Sequence, residues 1–287
     1  MNSISLPYFA DPETLPHPLP TLNEIHHSQD VIYKRGGCKI VGVGPYAVKY
    51  GPQVELIEGE NMLLVAHSTS VPVPKVYGLF KDDANKAGYI VMERIAGKSL
   101  KSEWSSLSNT QKEAIVTKLG KYMEELRSLP SPGGYCSVGN RPLLDYLFWN
   151  DDMPEKIDGP FDTEEELNAS LLKKYIFNNG SKYKAEFYKQ RLPSIFRDHP
   201  PRFTHGDFQR KNIALRSVGD TESDVDLVLL DWELSGWYPS YWEYSRAVNA
   251  CGRWDDDWCL TINKIFAPEL YSNEWTWMNM LLVELWS

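Results

Sequence analysis

The sequence predicts an α+β fold in two lobes, the first an antiparallel sheet with one helix, the second mainly helical. Two observations carry that expectation. Short β-branched and aromatic runs, separated by glycine turns, fill the first third of the chain. After Gly97, apolar residues recur at helical spacing behind capping signals. A length of 287 residues leaves room for both lobes and for a ligand cleft between them.

Pro7, Pro12, Pro16, Pro18 and Pro20 crowd the first 20 residues, and that density blocks both helix and central strand. An extended arm over residues 1–20 is therefore predicted. Thr21 and Glu24 have capping-box spacing and open a short helix. Runs at 31–33, 39–41 and 46–50 read as a meander, with turns at Gly36-Gly37 and Gly44-Pro45. A helix is expected over about 54–68, closed by Val71-Pro72-Val73-Pro74, then strands at 76–80 and 89–93. Residues 21–93 thus form the expected first lobe, 94–99 a connector, and 100–287 the second lobe. In that second lobe, Ser108 with Gln111 caps a helix carrying Ile115, Leu119, Tyr122, Met123 and Leu126. Thr163 with Glu166 caps another, ending near Phe177. Short strands are expected at 202–204, 213–215 and 226–230, and a helical, Trp- and Tyr-rich tail from about 240.

Composition excludes several classes. The net charge is -9, and no long Lys/Arg run appears, so a nucleic-acid partner is not expected. Cys38, Cys136, Cys251 and Cys259 form no C-x-x-C pair, which gives no support to zinc or a disulfide framework and leaves buried, reduced thiols. No secretory signal and no membrane-spanning run are visible, so a cytoplasmic protein without a membrane partner is expected, as monomer or homodimer.

The chemistry concentrates in His205-Gly206-Asp207-Phe208-Gln209-Arg210-Lys211-Asn212. Phosphoryl transfer needs a cation on the nucleotide phosphates, oxygen ligands for magnesium and an acceptor for the attacking hydroxyl's proton. Asp207 suits the acceptor. Asn212, five residues on, offers an amide oxygen to a hard cation. Asp231 ends the apolar run Leu227-Val228-Leu229-Leu230, so a buried strand would deliver a second oxygen ligand. H-G-D alone is a weak signal; the ordered set is specific.

With these residues, the chain resembles the aminoglycoside phosphotransferase/choline kinase family, which has the protein-kinase-like fold. Val71 to Tyr77, Val91-Met92-Glu93 and Asp231 through Tyr244 are similar to its fungal members, and the resemblance runs from about Leu15 to the end. It implies an ATP- and Mg2+-dependent enzyme that phosphorylates a hydroxyl of a small molecule. Lys49, in Ala47-Val48-Lys49-Tyr50, matches the phosphate-binding lysine, and Glu58 best matches its glutamate partner. On a helix, Glu55 would share the face of Glu58, and Glu60 would turn away. Glu93 to Ile95 match the adenine connector, with Met92 beside the ring. His205 would brace the loop.

Departures narrow the class. The glycine-rich G-x-G-x-x-G loop is absent. Gly206 stands where protein kinases carry the arginine that reads a phosphorylated activation segment, and Glu233 stands where they carry the glycine of D-F-G. Both favour a small-molecule acceptor over a protein. Glu233, Trp237, Tyr241, Trp242 and Glu243 are substrate candidates, since aromatic faces with carboxylates suit a cationic amine; as core and surface residues they would need no ligand. Tyr146, Phe148 and Trp149 either line that pocket or pack, and Asp255-Asp256-Asp257 form an acidic rim or a solvated face. Two other functions fit the motifs less well: a nucleotide-binding pseudokinase or scaffold, and a family member recruited to another reaction in a biosynthetic pathway. Pseudokinases usually lose the lysine or a catalytic carboxylate, and all are present here.

Overall fold

The computed structural model describes residues 4–149 and 156–286. In chain order the elements are β1 (Tyr8–Phe9), α1 (Leu22–His27), β2 (Val31–Arg35), β3 (Cys38–Val43), β4 (Tyr46–Gly51), α2 (Ile57–Ser68), β5 (Val76–Asp82), β6 (Ala87–Glu93), β7 (Lys98–Ser99), α3 (Leu100–Glu103), α4 (Asn109–Arg127), α5 (Glu164–Phe177), α6 (Lys182–Ile195), β8 (Pro201–Thr204), β9 (Ile213–Ser217), β10 (Asp226–Leu229), β11 (Gly236–Pro239), α7 (Trp242–Asn249), α8 (Trp258–Phe266) and α9 (Ser272–Trp286). They form two compact units. The first holds residues 1–106, 211–219 and 223–233, and the second holds 107–210, 220–222 and 234–287.

The first unit is built on an antiparallel sheet in the order β1-β5-β6-β4-β3-β2. The proline-rich arm is not simply extended. Its Tyr8 and Phe9 pair with Leu79 and Gly78 to add the edge strand β1. The Thr21 capping box forms with both of its hydrogen bonds and starts α1. Alternation along β4 then decides which side chains meet what. Tyr46 and Val48 join Ile25, Val41, Tyr89 and Val91 in one core cluster. Ala47 and Lys49 point the other way, on the face that receives α2. That helix lies tight against β5: a Cβ on Gly59 would stand 2.1 Å from the Leu79 side chain. A small three-stranded sheet, β10-β9-β7, completes the unit. Gly97 precedes it at φ 134, and a Cβ there would stand 2.6 Å from the Leu215 carbonyl oxygen, so a side chain would be excluded.

The second unit is helical around a two-stranded ribbon of β11 and β8. Its core joins Leu167, Leu171 and Tyr175 of α5, Ala185, Tyr188 and Leu192 of α6, and Met278, Leu281 and Leu285 of α9, with Tyr238, Tyr241 and Trp242 between them. His199 fastens α5 and α9 together, with Nδ1 2.7 Å from Glu164 and Nε2 3.5 Å from Glu274. Two elements here were not foreseen. Pro193 disguises α6, although Ala185, Tyr188, Leu192 and Phe196 keep helical spacing; it stands in the last turn, so the hydrogen bond it removes is lost only near the helix end. The segment 236–239, read as part of an aromatic substrate wall, is strand β11. Cys136 and Cys259 are buried and Cys38 and Cys251 half-buried, all as free thiols.

Candidate active site

In the first unit, β4 carries Lys49 into the face covered by α2. Its cross-strand neighbours are Ile40 on β3 and Ile90 on β6. An ammonium flanked by isoleucines and 7% exposed needs countercharge. It finds three carboxylates: Glu58 at 2.6 Å, Glu233 at 3.0 Å and Asp231 at 3.5 Å. Burial alone would push the Lys49 ammonium down, but the combined charge of Glu58, Asp231 and Glu233 holds it above its ordinary value. Burial pushes the Glu58 carboxyl up to about 7, against the opposing pull of Lys49. Removing one member of such a buried pair costs about 3–5 kcal/mol, because a charge is left alone in a poor solvent.

The other two carboxylates arrive by a different device. Trp232, fully buried, donates from Nε1 to the Leu229 carbonyl, and its own carbonyl accepts from Asn61 of α2 at 2.8 Å. Asp231 and Glu233 flank this anchor. Asp231 adopts φ +68, a left-handed conformation that costs a non-glycine residue about 1 kcal/mol or more. The strain fits a side chain that must be aimed. The Leu230 amide donates to the Asn212 carbonyl at 2.8 Å, so β9 and β10 deliver Asn212 and Asp231 together at one end of their sheet. One oxygen each of Glu58, Asp231 and Glu233 lies within 4.8 Å of the others. Clustered carboxylate oxygens are the kind of donor a hard divalent cation selects, so these residues could hold magnesium.

Glu55 and Glu60 settle differently from the helical-face argument. Helix α2 begins only at Ile57, so Glu55 lies before it and turns to Lys81 at 3.7 Å, while Glu60 is buried. Along the connector, Met92 is buried at the end of β6 and Ile95 half-buried. The Glu93 carboxylate binds Arg216 at 2.5 Å, and its amide donates to the Lys75 carbonyl at 2.8 Å.

In the second unit, β8 leads into the loop at His205. The Asp207 amide donates to His205 Nδ1 at 3.2 Å, which places the ring proton on Nε2. The Asp207 carboxylate accepts from the Gln209 side-chain amide. Gly206 has φ +86, and a Cβ there would stand 2.7 Å from the Leu234 carbonyl oxygen, so glycine at this position is a steric requirement. Arg210 ion-pairs with Asp256 at 2.7 Å and lies over the Trp258 ring. The chain passes into the first unit between Arg210 and Lys211.

The substrate candidates need correction. Trp237, Tyr241, Trp242 and Glu243 are each no more than 2% exposed and offer no surface to a ligand. Trp237 donates to the Leu129 carbonyl, Tyr241 stacks on Phe196, and Trp242 donates to Asp145 at 2.9 Å. Glu243 accepts from the backbone amides of His205 and Gly206, and so braces the loop from beneath. Burial pushes its carboxyl up to about 7, with those amides opposing. Glu233 faces Lys49. Phe148 is buried against Trp242, whereas Tyr146 and Trp149 are exposed. Asp256 and Asp257 are tied to Arg210 and Lys112 rather than free to form a rim. Gln209 and the bracing role of Glu243 escaped the sequence; only the loop position of the first and the helical position of the second, one turn past β11, hinted at them.

Solved structures share this fold. A thermostable mutant of aminoglycoside phosphotransferase APH(4)-Ia, in ternary complex with ADP and hygromycin B, aligns with TM-score 0.59 at 12% identity over 92% of this chain and 86% of that one. The GDP and kanamycin complex of APH(2")-IIIa aligns with TM-score 0.53 at 16% identity over 92% and 84%. At these identities the likeness is one of fold, and that fold is the protein-kinase-like α+β arrangement. A sequence profile described as the phosphotransferase enzyme family matches residues 43–277, and the chain belongs to that family. A comparison with curated proteins finds no match. Among the described residues, no helix is long and apolar enough to cross a membrane.

Proposed function

We propose that this protein is an ATP- and magnesium-dependent kinase that phosphorylates a hydroxyl of a small molecule. The observation that supports it best is the buried Lys49 ammonium, fixed by Glu58 at 2.6 Å beside Asp231. A lysine so placed can exchange exposed carboxylate partners for phosphate oxygens while Glu58 keeps it oriented. Met92, Glu93 and Ile95 would meet the adenine, with residues 94–99 as connector. Asn212 and Asp231 would hold magnesium, which when bound screens phosphate charge. Asp207 would accept the proton of the acceptor hydroxyl as the new P–O bond forms and the bond to the departing nucleoside diphosphate breaks. The Gln209 amide holds one carboxylate oxygen, which orients the other toward that proton. The relatives crystallised with hygromycin B and kanamycin make amine-bearing polyols the first acceptors to try.

The test is mass spectrometry of a metabolite extract incubated with enzyme, ATP and magnesium. A product heavier by one phosphate, formed by the wild type and not by Asp207→Asn, is the expected result. Nucleotide binding without any phosphorylated product across a broad panel would favour the scaffold reading.

A further inference from the structure

Helix α6 has an outward face that the proposed phosphotransfer does not use. At 3.6 residues per turn, Ala185, Tyr188 and Leu192 line its core side. Tyr183 points away from that core, and Phe187, one turn on, lies at its margin, stacked on Trp277 of α9. Tyr183 is 78% exposed, the highest value for a large apolar side chain among the described residues, and Phe187 is 46% exposed. Basic residues bracket this pair: Lys182 and Lys189 on one flank, Lys184 and Arg191 on the other. Lys182 lies over the Tyr183 ring at 5.1 Å and Arg191 over the Phe187 ring at 5.8 Å. Lys184 is paired with Glu284. Lys182, Lys189 and Arg191 have no acidic partner among the described residues. At the adjoining end of α5, Ile176 and Phe177 are also exposed.

The charge here runs against the rest of the chain. Residues 182–195 hold four of the 30 Lys and Arg and only one of the 39 Asp and Glu, a local +3 in a protein of net charge -9. Outward aromatics between two rows of cations match the boundary of an anionic bilayer. Rings there settle among headgroups, and Lys and Arg stems extend along apolar surface to reach phosphates. The Debye length of about 8 Å at physiological salt confines attraction to this patch, so the acidic remainder does not cancel it and instead turns away from the lipid.

We propose that the outward face of α6, with the exposed end of α5, docks on the surface of an anionic lipid bilayer. Docking of this kind is peripheral and needs no spanning helix. It is independent of the reaction catalysed.

Co-sedimentation of the full chain with vesicles tests it. One set is phosphatidylcholine alone; in the other about a third of the lipid is phosphatidylserine. The expected result is binding to the second set only, released by high salt. Lys182→Gln and Lys189→Gln should each weaken partitioning roughly five-fold. Tyr183→Ser should weaken it further with no change in thermal unfolding, since that side chain is 78% exposed. No binding to anionic vesicles overturns the proposal, as does equal binding to both sets, or binding that the variants leave unchanged. Concentration-dependent self-association lost in Tyr183→Ser would assign the face to a second copy of the chain, and also overturns it.

Discussion

The two units hold buried charge in opposite ways. In the first, Lys49 is surrounded by side-chain countercharge: three carboxylates face one ammonium, and Asp231 and Glu233 remain half-exposed. In the second, Glu243 is enclosed completely and satisfied by the backbone amides of His205 and Gly206. Side chains can exchange partners at little cost, whereas backbone amides within a folded loop cannot. The first arrangement suits a site that must admit and release phosphate. The second suits a scaffold that must not move.

The contrast can be broken from either end. Asp207→Asn carries the largest expected effect, a loss of about 10²–10⁴-fold in turnover with nucleotide affinity retained, because an amide cannot accept the hydroxyl proton. Steady-state kinetics and nucleotide titration together check the split. Lys49→Met comes next. It should abolish measurable nucleotide binding in calorimetry and lower stability by about 3 kcal/mol or more at neutral pH, since Glu58 is left buried without a cation. Part of that loss should return as pH falls, because the Glu58 carboxyl, already pushed up to about 7 by burial in the wild type, takes up a proton still more readily once the Lys49 cation that opposes this is gone.

Glu243 makes the third prediction. Its folded pKa of about 7 lies above the ordinary 4.5, so between those values the folded protein holds a proton that the unfolded chain has released. That contribution is full below about 4.5 and is lost as pH rises through about 7, on the order of 3 kcal/mol at most. Glu58 has the same sign, so Glu243→Gln should reduce the decline of thermal stability over this window without removing it. The variant should be less stable than wild type at low pH, where its amide group faces a backbone N–H it cannot accept from. Smallest is Asp257→Asn, which weakens the exposed Lys112 pair and should shift stability by about 1 kcal/mol or less in denaturant unfolding.

The meander, the capped helices and the apolar run ending at Asp231 were legible because each is written in local periodicity or in one capping pair. Lys49 and Glu58 were legible by resemblance, and the structure brings them together. What stayed hidden is three-dimensional. Trp237, Tyr241 and Trp242 look like an aromatic ligand wall in sequence, because nothing local reveals that the indole N–H groups of Trp237 and Trp242 are capped by Leu129 and Asp145, more than ninety positions away. Glu243 looks like a surface carboxylate for the same reason: its partners are amides, which every sequence has everywhere. Helix α6 was obscured by a single proline, and with it the basic, aromatic face.

Gly206 limits which residues the loop can accept. With the Leu234 carbonyl oxygen where a Cβ would need to be, single substitutions at this position meet a backbone wall, not a pliable side chain. An arginine here would need the loop and the Leu234 backbone to move together.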